Sequence, residues 1–214
     1  MSASSWAFPV LIVVALVVAA GYFLGRRKNV LLMKQYADAI EGAVNSSDQQ
    51  YTWVGGYIGF KADYKVKSQL VKKVKATLHL LPRLSLLYYP FALLTMRHDK
   101  LYVIVEVAKS LAGEAHLIKK GHYRFLPPGI DHVERLRRSE VTLGDTKFEL
   151  LSEDAKGERQ LLSWAQELKV DFNKVKHLSF TASTNVIYAF VEPDTDVIPA
   201  LLKAMPELAP TILK

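Results

Sequence analysis

From Trp6 to Leu24 the chain reads WAFPVLIVVALVVAAGYFL, nineteen residues without a charged side chain. At about 1.5 Å rise per residue such a helix crosses a hydrocarbon core of roughly 30 Å. In lipid the backbone must satisfy its own hydrogen bonds, so a single span has no alternative to helix, even through the β-branched run Val10 to Val18. Trp6 at one end and Tyr22 and Phe23 at the other suit the two interfaces. Arg26, Arg27 and Lys28 follow at once, and a basic cluster beside a span stays on the cytoplasmic side. A cleaved signal peptide is the competing reading, and Ala19-Ala20-Gly21 offers it small residues. Signal peptides carry their positive charge before the apolar run, however, and Met1 to Ser5 have none. The expected organisation is a short extracytoplasmic terminus at residues 1–5, a transmembrane anchor at 6–25 and a cytosolic domain at 26–214.

The cytosolic part is long enough for one domain with its own core and short for two. No repeat or low-complexity linker divides it. Half of the 214 residues are hydrophobic, which excludes a disordered tail, and the absence of cysteine excludes thiolate metal sites and cysteine nucleophiles. Met33, Ala37, Ile40 and Val44 recur at helical spacing, which predicts a helix over Val30 to Val44. Tyr51 to Tyr64, interrupted by glycines, predicts a strand or bulged hairpin. In Lys73 to Leu80 the apolar Val74, Ala76, Leu78 and Leu80 alternate with Lys73, Lys75, Thr77 and His79, giving a strand with one basic face. Leu101 to Val107 reads as a central strand covered on both faces. Further strands are expected at Val141 to Leu151, Val175 to Thr181 and Val186 to Val191. Helices are expected at Glu158 to Leu168 and after Asp196, which would serve as N-cap. With no regular βαβ rhythm, the fold class is α+β with a mainly antiparallel sheet.

Searching for chemistry yields little. Gly55-Gly56-Tyr57-Ile58-Gly59 lacks the lysine of a P-loop, and neither GxSxG nor HExxH occurs. His79, His98, His116, His122, His132 and His177 lie in different predicted elements, where structural or surface roles are the simplest reading. No catalytic, cofactor or metal residue is assigned. Two surfaces stand out instead. Leu84 to Met96 contains thirteen residues without a charge, too few to span, so Leu84, Leu87, Tyr88, Phe91 and Leu94 belong either to a core helix or to a surface facing membrane or a client protein. The second surface is basic. Residues 1 to 138 hold 20 Lys/Arg against 9 Asp/Glu, or +11, whereas the whole chain carries +7. Lys61, Lys65, Lys67, Lys72, Lys73, Lys75 and Arg83, joined by Arg135, Arg137 and Arg138, would face anionic lipid head groups, ribosomal RNA or only solvent.

The order of these features resembles the calumin family, the coiled-coil-domain subunit of the PAT complex, an intramembrane chaperone of the multipass translocon. The likeness begins at Tyr22-Phe23-Leu24 and the Gly25-basic stretch ending Lys28-Asn29, and continues with Tyr51-Thr52-Trp53-Val54-Gly55. It resumes at Leu78-His79-Leu80-Leu81-Pro82-Arg83-Leu84-Ser85-Leu86-Leu87, then in Leu178 to Val191 and Ala200-Leu201-Leu202. A compact relative of prokaryotic or archaeal type is implied, because the family's acidic lumenal region and lysine-rich C-terminal coiled coil have no counterpart in these 214 residues. Calcium buffering and ribosome contact through that tail are therefore not carried over. What the resemblance does imply is a non-enzymatic accessory factor of the translocon that assists insertion or folding of multispanning proteins. Its partners would be a Sec-type channel and the ribosome, a small membrane-protein partner and nascent membrane proteins. The alternative is a membrane-tethered enzyme or a lipid- or ligand-binding domain at the cytoplasmic surface.

Overall fold

The computed structural model describes residues 4–123, 129–130 and 132–213; Met1 to Ala3 of the expected outer terminus lie outside them. Helix α1, Ser4–Ala43, carries the apolar run and continues without a break across the boundary expected at residue 25. Its first part, with a mean hydropathy of 2.6, is long and apolar enough to cross a membrane and packs against almost nothing. Its second part buries Gly25, Asn29, Met33, Tyr36 and Ile40, and Val44 just past its end continues the stripe at spacings of three and four. Tyr36 joins the expected Met33, Ile40 and Val44, and Ala37 packs partly buried against the same core.

Nine strands follow: β1 (Ser46–Val54), β2 (Gly59–Val66), β3 (Val71–His79), β4 (Lys100–Val107), β5 (Glu114–Lys119), β6 (Arg137–Leu143), β7 (Thr146–Ser152), β8 (Val175–Thr181) and β9 (Val186–Val191). They form one sheet in the order β1-β2-β3-β4-β9-β8-β5-β7-β6, and every pairing is antiparallel. Between them lie α2 (Tyr89–Thr95) and α3 (Ala155–Glu167), and α4 (Val197–Leu208) comes last. The chain is thus α+β with an antiparallel sheet, as its irregular alternation of elements implied.

One face of the sheet builds the core. Val74, Ala76, Leu78, Leu101, Val103, Val105, Ile187, Ala189, Leu178, Phe180, Leu117 and Leu150 are buried in one cluster with Met33 and Ile40 of α1, Leu161 of α3, and Leu201 and Met205 of α4. The period of two sends their strand neighbours to the opposite face. There β4 differs from expectation: it is central, but Tyr102, Ile104 and Glu106 are only half-buried, and among the described residues no helix covers that side. Val141 to Leu151 is two strands, not one, turned at Gly144 in the left-handed conformation (φ 56). Asp196 makes no side-chain cap of α4; Asp194 Oδ1 accepts the Asp196 N–H at 2.9 Å and its other oxygen takes the Lys174 ammonium.

Candidate functional site

Where α1 leaves its apolar half, it meets the chain between β3 and α2 backbone to backbone. A Cβ on Gly25 would clash with the Arg83 carbonyl, and one on Gly21 would touch Leu86 Cδ1 at 3.5 Å. One turn on, the fully buried Asn29 donates through Nδ2 to the carbonyls of Tyr57 (2.9 Å) and Leu81 (3.0 Å). Its Oδ1 accepts from Arg83 Nη1 at 3.1 Å. Arg83 in turn forms a two-pronged pair with Asp99, Nη1 to Oδ1 at 2.9 Å and Nη2 to Oδ2 at 2.8 Å, while Asp99 Oδ1 also accepts the Leu81 N–H. Planar guanidinium and carboxylate match in this geometry, and each charge needs the other once removed from water. Arg26 completes the junction by lying 4.3 Å above the Tyr57 ring. Arg83, expected on the basic surface, is therefore occupied in an internal ion pair, and Asn29, Tyr57 and Asp99 are the residues that sequence reading missed. The signal for Asn29 was its place in the buried stripe between Gly25 and Met33.

The apolar segment follows directly. Pro90 falls in the first turn of the short α2 rather than inside a thirteen-residue helix, because the chain spends Arg83 to Tyr88 in turns beside α1. Of its apolar side chains only Ala92 is buried. Leu87 is 78% exposed, Leu94 77%, Phe91 64% and Tyr88 53%, with Leu84 half-buried against the junction. The core-helix reading of this segment is overturned.

The basic residues do not form one patch. Lys72, Lys73 and Lys75 lie on β3, whereas Arg135, Arg137 and Arg138 lie at β6, six strand spacings or roughly 29 Å away. Cross-strand acids answer three of them: Lys73 pairs with Asp63 (3.1 Å), Lys75 with Glu106 (2.5 Å) and Arg138 with Glu149 (3.6 Å). Arg27 and Lys28 are exposed on α1 beside the junction, as are Trp6, Tyr22 and Phe23 along its apolar half.

Folding does gather four of the six histidines on the sheet face away from the helices. His116 on β5 and His177 on β8 are both 5% exposed, and His116 Nδ1 lies 3.1 Å from His177 Nε2. His116 Nε2 lies 2.6 Å from Glu114 Oε1, and the Tyr123 hydroxyl 3.2 Å from His177 Nδ1. Because the Glu114 oxygen accepts, one consistent set of protons runs through the chain: Tyr123 donates to His177, His177 to His116, and His116 to Glu114. Burial pushes the His177 imidazole down to about 3, helped by His116 and His122, and pushes the Tyr123 phenol up to about 12. His122, held down to about 4 by burial and by His98, lies near-parallel to His98 and meets Phe190 edge to face. Burial holds these four imidazoles neutral at physiological pH, a state suited to orienting hydrogen bonds. Among the described residues no cluster of three or more acidic or histidine side chains could hold a metal ion. A groove of about 440 Å³ between α3 and α4, lined by Arg159, Trp164 and Glu207, lies on the other side of the sheet.

No family model matches the chain, and no curated protein matches it in sequence. Among solved structures it is similar to the mycobacterial trehalose monomycolate transport factor A, TtfA, with a TM-score of 0.35 and 9% identity over 79% of this chain and 75% of that one.

Proposed function

We propose that the chain is a single-pass membrane protein, N-terminus outside and domain in the cytosol, acting as a non-enzymatic accessory factor in the insertion or folding of multispanning membrane proteins beside a Sec-type channel. The observation that carries this reading is the junction of α1 with the domain. Asn29, Arg83 and Asp99 lock the helix to the sheet one turn beyond its apolar run, without a flexible linker. Such a domain cannot drift from the bilayer surface, and it stays at the level where new membrane segments leave a channel. The resemblance of the ordered segments to the calumin family implies the same role.

Crosslinking of the full chain in native membranes, followed by mass spectrometry, tests the proposal. Channel, ribosomal and nascent membrane proteins are the expected neighbours; recovery of lipid-modifying enzymes alone would overturn it. The second reading, a domain that binds a small molecule at the membrane surface, is favoured by the hydrogen-bonded chain from Tyr123 to Glu114. Native mass spectrometry would support it if a bound molecule left the protein on His177→Gln substitution.

A further inference from the structure

The exposed apolar side chains after β3 form a contiguous surface. Leu86, Leu87, Tyr88, Phe91, Leu93 and Leu94 are all exposed within nine residues, and no charge interrupts Leu84 to Met96. Single exposed apolar residues are ordinary on a soluble surface, but a continuous patch marks a contact. The fold itself indicates the contact. Leu86 packs on Gly21, three residues inside the last apolar residue of the run Trp6 to Leu24, so it lies about 4.5 Å deeper along the helix axis than Leu24. A side chain at that height beside a membrane span is at the boundary of the hydrocarbon. α2, at seven residues, is too short to cross, and the segment that leads into it is seated on α1 through Arg83 and Leu86.

Charge is distributed to match. Arg83, which opens the segment, has its guanidinium turned inward to Asp99 and away from the patch. Arg97, which closes it, is exposed, with a left-handed backbone (φ 65) that turns the chain back towards β4. Arg27 and Lys28 add cations at the level where phosphate head groups begin. Apolar side chains next to a span, with exposed cations close by in the chain, are the composition of an interfacial segment.

We propose that Leu86 to Leu94 is immersed in the head-group and acyl boundary of the leaflet that holds the cytoplasmic end of α1, so that the domain contacts lipid at two places and its orientation on the bilayer is fixed. This rests on reading α1 as a membrane span. Two contacts remove the swivel that a single helix would leave.

The absence of cysteine makes the test direct. Single-cysteine variants Leu87→Cys and Leu94→Cys of the full chain, with Val14→Cys and Lys72→Cys as references, are nitroxide-labelled in vesicles of phosphatidylcholine and phosphatidylglycerol. Collision with oxygen and with a water-soluble nickel chelate is then measured. Labels at 87 and 94 are expected to favour oxygen several-fold over the label at 72, at a depth shallower than the label at 14. If they match position 72 while position 14 reads deep, the segment is in water and this proposal alone fails. Shielding from both reagents would mean a protein covers the segment and would equally overturn it. A label at 14 that reads aqueous would remove the span and both proposals together.

Discussion

The main chain of Arg83 runs against Gly25 so closely that a methyl group on the glycine has no room. Helix α1 and the segment entering α2 are thus joined by shape as well as by the Asn29 hydrogen bonds. Gly25→Ala must push two backbones apart, at a cost of about 1 to 3 kcal/mol, and should lower the melting temperature of the full chain in detergent by several degrees. Gly21→Ala meets Leu86 at ordinary contact distance and gains helix propensity, so its melting should match or slightly exceed the parent's. Equal melting of the two variants would show that the helix is not seated at Gly25.

Asp99 holds a guanidinium that has no other carboxylate partner among the described residues. Removing it leaves a buried charge, so Asp99→Ala should cost about 3 to 5 kcal/mol in urea unfolding. Arg83→Met with Asp99→Leu removes both charges and should recover much of that loss. A double-mutant cycle with no coupling would contradict the geometry.

How much of this was legible depends on range. Alternation in Val74 to Leu80 gave β3 and its faces, because strand period is a local property of the side chains. Asn29, Arg83 and Asp99 are 54 and 16 residues apart in their contacts, and nothing in their surroundings announces a common site. Leu84 to Met96 shows the opposite failure. Its composition fitted core and surface equally, and the choice was made by Gly21 and Gly25, whose missing side chains draw the segment onto α1 rather than under the sheet. The pairing of His116 with His177 likewise needed β5, a strand with four successive buried residues and no alternation to reveal it.

The buried histidines fix a sign for pH dependence. His177 is neutral in the fold down to about 3, whereas the unfolded side chain takes a proton near 6.5. Between those values the unfolded state binds more protons, so stability must fall as the pH drops below 6.5, by roughly 1 kcal/mol per pH unit from this residue. His116 and His122, also held down by burial, act in the same direction. Urea unfolding at pH 7 and pH 5 should show the loss, and His177→Gln should flatten the difference whatever it does to stability at pH 7. An unchanged slope would mean that His177 is not buried neutral.

In the topology proposed above, orientation is set by charge near the span, and the two basic regions can be separated on this basis. Arg27 and Lys28 are exposed on α1 and make no contact that the fold requires, while Arg26 is engaged with Tyr57. Replacing Arg27 and Lys28 by glutamine lowers the positive bias flanking the apolar run without touching the domain. It should yield a mixture of orientations in protease protection of sealed vesicles, where the parent protein gives one. Lys73→Glu with Lys75→Glu should leave orientation unchanged, because β3 lies far along the chain from the span. Its effect is local: each glutamate would face the former partner, Asp63 or Glu106, and exposed repulsions of this kind cost about 1 kcal/mol or less. If the β3 variant scrambled orientation and the α1 variant did not, the Arg26 to Lys28 cluster would not be the topology signal.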